Sequence, residues 1–475
     1  MSYTAQDNFA LTPEILLVLF GCALLFASRR WVLPLLFTGL LCTGAVLWRQ
    51  YAWLDQNRVA DLTAFSGAFT VDRFALFFDA LFLATTALVA AVSKPVLRRD
   101  FLEYTAMLLF AQCGMFLIGG GADLVTIFLG LELMSLSFYI LVGFTREDRR
   151  SNEGALKFLI LGAFSSGLVA YGFSLLYAIA GSTRLSAIAS SLATRDPHDS
   201  LLILALATTG AGILFKIAAV PFHMWAPDAY EGAPIPVAAY LSVASTAAAM
   251  ALLIRLFTGP LAPARAVWEP LLGIVALATL TLGNLAAIAQ SNMKRLLGYS
   301  SISHAGYLLL GLVAGNRTGI KGISVYLLTY IFMTVGAFTI VLTLKREGAS
   351  AENVSDLDGL AKSHPWNAFL MLVFLLSLAG LPPTAGFLGK YFVLQALVET
   401  GHYALAAAGT LYVIVALYYY FRMVRAMFMM QPSGAVVVES TWSVRVALAV
   451  SGALTLAIGL YPEPFLRFAE SSVAR

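Results

Sequence analysis

Charge is scarce in this chain. Only 12% of its 475 residues are Asp, Glu, Lys or Arg, against 60% apolar residues, whereas a soluble chain carries roughly 25% charged residues to cover its surface. That deficit excludes a water-soluble globular protein and leaves lipid as the solvent. The charges present nearly balance, 30 basic against 26 acidic for a net +4, too even for nucleic-acid binding. The apolar fraction likewise excludes disorder, and there is no low-complexity tract. Cysteine is almost missing. Cys22, Cys42 and Cys113 each sit in an apolar run without CxxC spacing, which excludes a disulfide framework, a zinc site or an iron–sulfur cluster and predicts three small buried apolar residues. Neither a P-loop nor a GxGxxG is present, so no nucleotide site is expected. No paired histidines in facing spans suggest haem. The amino end, MSYTAQDNFA, lacks the basic region and small-residue cleavage site of a signal peptide, so the first apolar run reads as a retained span.

Long apolar runs, by contrast, are plentiful. A helix crossing ~30 Å of hydrocarbon needs ~20 mostly apolar residues. Runs of that kind fall at about 12–28, 31–48, 74–93, 104–120, 123–143, 155–181, 200–220, 235–257, 267–289, 296–314, 320–344, 365–390, 403–425 and 442–461. The expected fold is therefore an all-α polytopic membrane protein of about fourteen transmembrane helices. Placing both termini outside puts sixteen Lys and Arg in cytoplasmic loops and eleven on the other side, a bias in the direction of the positive-inside rule. The remaining three, Lys157, Lys216 and Lys390, fall inside spans.

A charged side chain at the centre of a span costs at least ~2.5–3.5 kcal/mol, so each one demands an explanation. Glu132 lies in GLELMSLSFYILVGF of the fifth span and Lys216 in GILFKIAAVPFHMW of the seventh. Both are too deep to reach the interface easily, and function is the favoured reading. Burial disfavours the charged form of each and mutual approach favours it, so such a pair takes up or releases a proton when its geometry changes. Lys157, four residues after Glu153 at the start of the sixth span, reads equally well as one half of a helix-surface ion pair. His304 in the tenth span is either a proton relay or a hydrogen-bonded core residue. Asp79 is assigned to helix packing.

Two spans are interrupted. Pro221 falls five residues after Lys216, and Pro382-Pro383 fall before Lys390 in the twelfth span. Proline removes a helical hydrogen bond, and irregular backbone at membrane depth is tolerated only where protein or water satisfies it. Transporters place such broken helices at ion sites in corresponding positions of two repeats. Spans five and seven carry Glu132 and a broken helix with a lysine; spans ten and twelve carry His304 and a second. An offset of five spans inverts one half relative to the other.

At these residues the chain resembles a known family. GLELMSLSFYILVGF, FKIAAVPFHMWAPDAYEGAPIPVAAYLSVAS, MKRLLGYSSISHAGYLLLGL and LSLAGLPPTAGFLGKYFVLQ are similar to the antiporter-like membrane subunits of respiratory NADH:quinone oxidoreductase (complex I). The likeness runs from about residue 10 to residue 465. DAYEGAP after PFHMW, and a lysine in GFLGK, favour the N type over its paralogue M. An end after the fourteenth span leaves no room for the lateral helix of paralogue L. The resemblance implies two inverted five-helix repeats, spans 4–8 and 9–13, with spans 7 and 12 broken. It divides the chain into an N-terminal three-helix segment (1–103), a first repeat (104–257), a second repeat (258–425) and a C-terminal helix (426–475). It implies proton translocation through Glu132, Lys216, Lys157, Lys390 and His304, driven by redox chemistry elsewhere. NADH, FMN, iron–sulfur clusters and quinone would belong to partner subunits, with no cofactor or metal bound by this chain. Partners would be other membrane-arm subunits, paralogues among them, and lipids, in the bacterial cytoplasmic membrane. The rival reading is an Mrp-type cation/proton antiporter subunit.

One departure stands out. The N type usually carries a lysine in the eighth span after an Ala-Ser pair, and LSVASTAAAM places Thr246 there. A hydroxyl donates and accepts hydrogen bonds but holds no proton charge. The relay between Lys216 and Lys390 is then expected to run on water and His304, through a polar cavity lined by Ser245 or Thr246.

Overall fold

The computed structural model of the chain describes residues 4–94, 100–346, 348–432 and 436–473. Arg98, Arg99 and Arg475, counted above for orientation, lie outside them. In chain order the helices are α1 (Ala5–Phe26), α2 (Val32–Asn57), α3 (Arg73–Ser93), α4 (Phe101–Gly120), α5 (Leu124–Val142), α6 (Arg149–Ala180) and α7 (Leu185–Leu192). Next come α8 (Ser200–Lys216), α9 (Ala226–Gly232), α10 (Ile235–Tyr240), a π-helical turn at Leu241–Ser245, α11 (Thr246–Phe257), α12 (Arg265–Ile288), α13 (Met293–Ala314) and α14 (Arg317–Thr343). The chain finishes with α15 (Leu360–Ser363), α16 (Pro365–Ala379), α17 (Ala385–Glu399), α18 (Tyr403–Met429), α19 (Trp442–Leu460) and α20 (Glu463–Ser471).

Among the described residues, twelve helical segments are long and apolar enough to cross a membrane, α10 to α11 counting as one. Two further apolar helices, α8 and α16, are too short on their own. Each stops at an interruption and is followed by another helix, α9 after α8 and α17 after α16. The chain is thus a mostly helical polytopic membrane protein. An all-α description needs one correction: loops carry a hairpin of β1 (Asp61–Ala64) with β2 (Phe69–Asp72), and a three-stranded sheet of β3 (Leu344–Arg346), β4 (Ala349–Ser350) and β5 (Val436–Val438).

Helix ends follow capping chemistry that an apolar run does not reveal. Thr4 and Asp7 form a reciprocal capping box, so α1 begins at Ala5 and its polar first turn belongs to the helix. Asp72, Asp123, Asp148 and Asp199 cap α3, α5, α6 and α8, accepting from backbone amides of the first turn that otherwise lack a partner. Hydrogen bonds from the Leu202 and Leu201 amides and from Arg195 hold the Asp199 carboxyl below the usual carboxylate range.

Burial sorts the helices into a centre and a rim. α11 and α14 are buried on all sides and α13 nearly so, as expected of helices that are surrounded by others. α1, α2, α18 and α19 keep one face outward. Small residues set the close contacts, as membrane packing requires. A Cβ on Gly283 of α12 would lie 2.6 Å from the Ser303 nitrogen, and one on Gly306 of α13 would lie 3.0 Å from the Leu280 nitrogen. The cysteines divide accordingly. Cys113 is buried, but Cys22 and Cys42 are exposed, which corrects the expectation of three buried thiols: they sit on the outer faces of the rim helices α1 and α2.

Candidate functional site: two lysines at broken helices

Lys216 is the last residue of α8. The chain leaves the helix through Ala218 at φ 54 and through Pro221, and the backbone groups released there find partners. Trp225 Nε1 donates to the Phe215 carbonyl (3.0 Å), and the Val220 amide donates to Thr279 Oγ1 (3.0 Å). This is the satisfaction that irregular backbone at membrane depth requires. Lys216 is buried and its Nζ donates to Ser135 Oγ at 2.7 Å; Ser135 in turn donates to the Leu131 carbonyl at 2.6 Å.

Lys390 occupies the mirror situation. It lies in α17, past the interruption, and reaches back to donate to the Leu378 (3.0 Å) and Ala379 (2.9 Å) carbonyls at the end of α16. Its Nζ lies 4.8 Å from the Tyr307 ring centroid. Gly380 turns the chain at φ 86, and a Cβ there would lie 2.7 Å from Lys390 Cδ. The Lys390 ammonium therefore sits at the C-terminal end of a half-helix, where the helix dipole favours a cation, while Lys216 is the last residue of the other and extends its ammonium to Ser135 of α5.

The expected direct pairing of Glu132 with Lys216 is not seen. The exposed residues of α5, Val125, Leu129, Leu136 and Ile140, follow helical spacing, and Glu132 falls on the same stripe, half-buried. Ser135, one turn further on, faces inward and takes the lysine. Lys157 does pair with Glu153 as its spacing indicated (2.7 Å), but it is 45% exposed and equally bonded to Asp228 (2.7 Å). Asp228 also accepts from Arg295 (2.7 Å), which holds Glu231 at 2.9 Å. This cluster joins α6, α9 and α13. Its signal lay in the DAYEGAP motif, whose two carboxylates sit three residues apart on one helix face.

His304 is buried on α13. Its Nδ1 is 2.5 Å from the Tyr326 hydroxyl and its Nε2 is 3.3 Å from that of Tyr420. Tyr420 also bonds Ser300. Six tyrosines, Tyr230, Tyr307, Tyr326, Tyr330, Tyr419 and Tyr420, are buried around this part of the core. None was legible as functional in the sequence, where an aromatic in a span reads as packing. Asp79 is buried as a packing residue would be, yet its Oδ1 has no hydrogen-bond partner among the described residues.

Thr246 opens α11 directly after the π-helical turn and, like Ser245, keeps 4% of its surface open. Cavities of about 760, 730, 620 and 180 Å³ open beside Lys390, beside Val220, at Lys294 and beside Pro221 respectively, and neither Ser245 nor Thr246 lines any of these four. The cavity expected at Thr246 is not among them. Thr246 follows a turn of which one serine, Ser242, is bonded to Ser301 and Tyr330.

A polytopic helical protein with two interrupted helices, each presenting a buried lysine, has the features of the antiporter-like class. Residues 121–416, from just before α5 into α18, match the family described as NADH:quinone oxidoreductase/Mrp antiporter, TM. The chain is 55% identical to NADH-quinone oxidoreductase subunit N 2 of Solibacter usitatus (strain Ellin6076), covering 100% of this chain and 99% of that one. It is 46% identical to subunit N 1 of Koribacter versatilis (strain Ellin345), covering 99% and 96%. A chain of respiratory complex I from Thermus thermophilus superposes with a TM-score of 0.82 at 31% identity, over 96% of this chain and 98% of that one. A chain of the Mrp complex from Dietzia sp. DQ12-45-1b shares the fold, with a TM-score of 0.87 at 21% identity over 99% and 97%. The chain belongs to the NADH-quinone oxidoreductase subunit N family.

Proposed function

We propose that this chain is a proton-translocating membrane-arm subunit of an NADH:quinone oxidoreductase. The observation that carries the reading is the pair of buried lysines, Lys216 and Lys390, each held at the end of an interrupted helix. A lysine so placed binds or releases a proton when the contact that stabilises its charge changes. Glu132 is the carboxylate whose distance from Lys216 sets that balance, three residues before the Ser135 that holds the lysine. Lys157 on α6 is bridged to Asp228 of α9, which Arg295 ties to α13, and His304 lies on α13 one turn before Tyr307, the ring that Lys390 of α17 overlies. NADH, FMN, iron–sulfur and quinone chemistry belongs to partner subunits, and redox work reaches this chain through contacts with neighbouring membrane-arm subunits.

In this reading α8 with α9 and α16 with α17 complete the seventh and twelfth of fourteen crossings. α4 to α11 and α12 to α18 form two inverted five-span repeats, after a three-helix segment (1–103) and before a C-terminal helix. Both termini lie on the periplasmic side of the bacterial cytoplasmic membrane. The high identity to subunits N supports the oxidoreductase over an Mrp-type antiporter, for which the likeness is one of fold alone.

The test is to tag this chain, purify the intact membrane complex and identify what accompanies it. Co-purified flavin and iron–sulfur subunits, with NADH-driven acidification of reconstituted vesicles, are expected. Mrp-type companions, with cation/proton exchange that needs no NADH, would overturn the proposal.

A further inference from the structure

Many buried hydroxyls in this protein satisfy themselves on their own helix. Thr43, Thr85, Ser93, Ser135, Thr339 and Thr455 all donate to the carbonyl four residues back, the usual arrangement for Ser and Thr in a helix. Ser242 and Ser301 bond to other side chains instead. Ser242 lies in the π-helical turn, a wide turn of a kind that recurs at functional sites. Its Oγ donates to Ser301 Oγ at 3.1 Å and lies 2.9 Å from the Tyr330 hydroxyl; Ser301 is also 3.1 Å from the Tyr230 hydroxyl. Four hydroxyls from four different elements thus join end to end: Tyr230 from α9, Ser301 from α13, Ser242 from the π turn and Tyr330 from α14. All four are buried.

The two ends of this chain of hydroxyls give it a direction. At one end Tyr230 adjoins Glu231, which lines a polar cavity of about 620 Å³ together with Arg150, Lys294 and Glu352. That cavity lies on the face richer in Lys and Arg. At the other end the Tyr330 ring lies 4.9 Å from the His304 ring. His304 continues to Tyr326 and Tyr420, and Lys390 sits over Tyr307, one turn further along α13.

We propose that Tyr230, Ser301, Ser242 and Tyr330 form a hydroxyl relay that carries protons from the Glu231–Lys294 cavity to His304. It stands in for the cationic residue that α11 lacks at Thr246. The proposal rests on the proton-translocating reading and names the route within it. Glu231, not Tyr230, lines the cavity, so the route needs a water that reaches in from it; that water gives a proton to the Tyr230 oxygen, and Tyr230 passes its own hydroxyl proton to Ser301. In the resting arrangement Ser242 donates to Ser301, so transfer begins with the O–H groups turning toward Tyr330; Ser301 then passes its proton to Ser242, Ser242 to Tyr330, and Tyr330 to His304 through one water held between Tyr330, Tyr420 and the imidazole. One proton enters, one leaves, each hydroxyl ends neutral, and the O–H groups rotate back before the next transfer. A bridging water needs two to four polar partners, which these three residues supply.

The experiment uses the complete membrane complex in sealed vesicles, comparing initial acidification per NADH oxidised at matched complex content. Ser242→Ala and Tyr330→Phe each remove one oxygen and should lower that ratio by ~5-fold or more, about 1 kcal/mol in a rate. Ser242→Thr keeps the hydroxyl and should recover most of it, a rescue that loss of packing would not show. Tyr240→Phe, whose hydroxyl bonds Thr86 and the Leu108 carbonyl outside the relay, should pump normally. Lys390→Met in the same vesicles separates the two levels of the reading. If it abolishes pumping while Ser242→Ala and Tyr330→Phe pump normally, the relay is wrong and the wider function stands. If it too pumps normally, the function itself is wrong. Equal loss in Tyr240→Phe would overturn the relay in favour of general sensitivity of the core.

Discussion

Gly380→Ala should disable the second broken helix without unfolding the chain. Gly380 holds φ 86, where an L-residue costs roughly 1–2 kcal/mol. The added Cβ would also stand 2.7 Å from Lys390 Cδ, 3.3 Å from Cε and 3.4 Å from Nζ, whereas carbon atoms prefer about 3.5–4.0 Å. The lysine stem must therefore move by about 1 Å to restore ordinary contact. Its Nζ bonds to the Leu378 and Ala379 carbonyls, at 3.0 and 2.9 Å, have little slack for such a shift. Losing one hydrogen bond from a charged group adds about 1.5–3 kcal/mol, so the local penalty is roughly 3–5 kcal/mol. It falls on the short link between α16 and α17, leaving the packing of α14 against α17 in place. Native gels should show normal assembly, and vesicles should show acidification lowered by ~10-fold or more. Normal pumping by a fully assembled Gly380→Ala complex would mean that the pinned geometry of Lys390 is irrelevant to its work.

Two further substitutions probe what holds the site. Arg255→Met removes a side chain only 8% exposed that grips Asp72 through two bonds of 3.1 Å; the carboxylate keeps its cap on the Ala75 amide but loses its charged partner, which should cost about 1.5–3 kcal/mol and reduce the chain recovered in membranes. Arg255→Lys should restore only part of it, because an ammonium cannot make the two-pronged contact; unchanged recovery in the methionine variant would refute the argument. Ala218→Gly relieves a non-glycine residue at φ 54 and should stabilise the link after Lys216 by up to about 1 kcal/mol once glycine's greater freedom in the unfolded chain is deducted. A rise in the temperature at which the complex loses half its activity would support this, and a fall would contradict it.

Much of the architecture was legible because membrane helices announce themselves by length and apolarity. Lys216, Lys390 and His304 were visible as polar groups where lipid tolerates few, and Pro221 and Pro382 marked the interruptions beside the two lysines. The orientation of Glu132 was not legible: on an apolar helix, nothing but the exposure of Leu129, Leu136 and Ile140 says which side faces out. Ser135 was hidden for the same reason, since a serine three residues from a glutamate carries no signal until the lysine is placed against it. The Tyr230–Ser301–Ser242–Tyr330 chain joins residues up to 100 positions apart in sequence, and its members look like ordinary core aromatics and small residues. The π turn before Thr246 has no proline or glycine to betray it. Helix starts at Ala5 and Arg149 were missed because a capped first turn is polar and dilutes an apolar window.

The central claim is that Lys216 carries protons. Lys216→Met keeps most of the side-chain volume at the end of α8 and removes only the titrating group. The direct measurement is the number of protons moved per NADH oxidised, in vesicles holding equal amounts of assembled complex. The account predicts normal assembly with acidification lowered by ~5-fold or more. Wild-type proton movement in that variant would contradict it and reduce the buried lysine to a structural cap on α8.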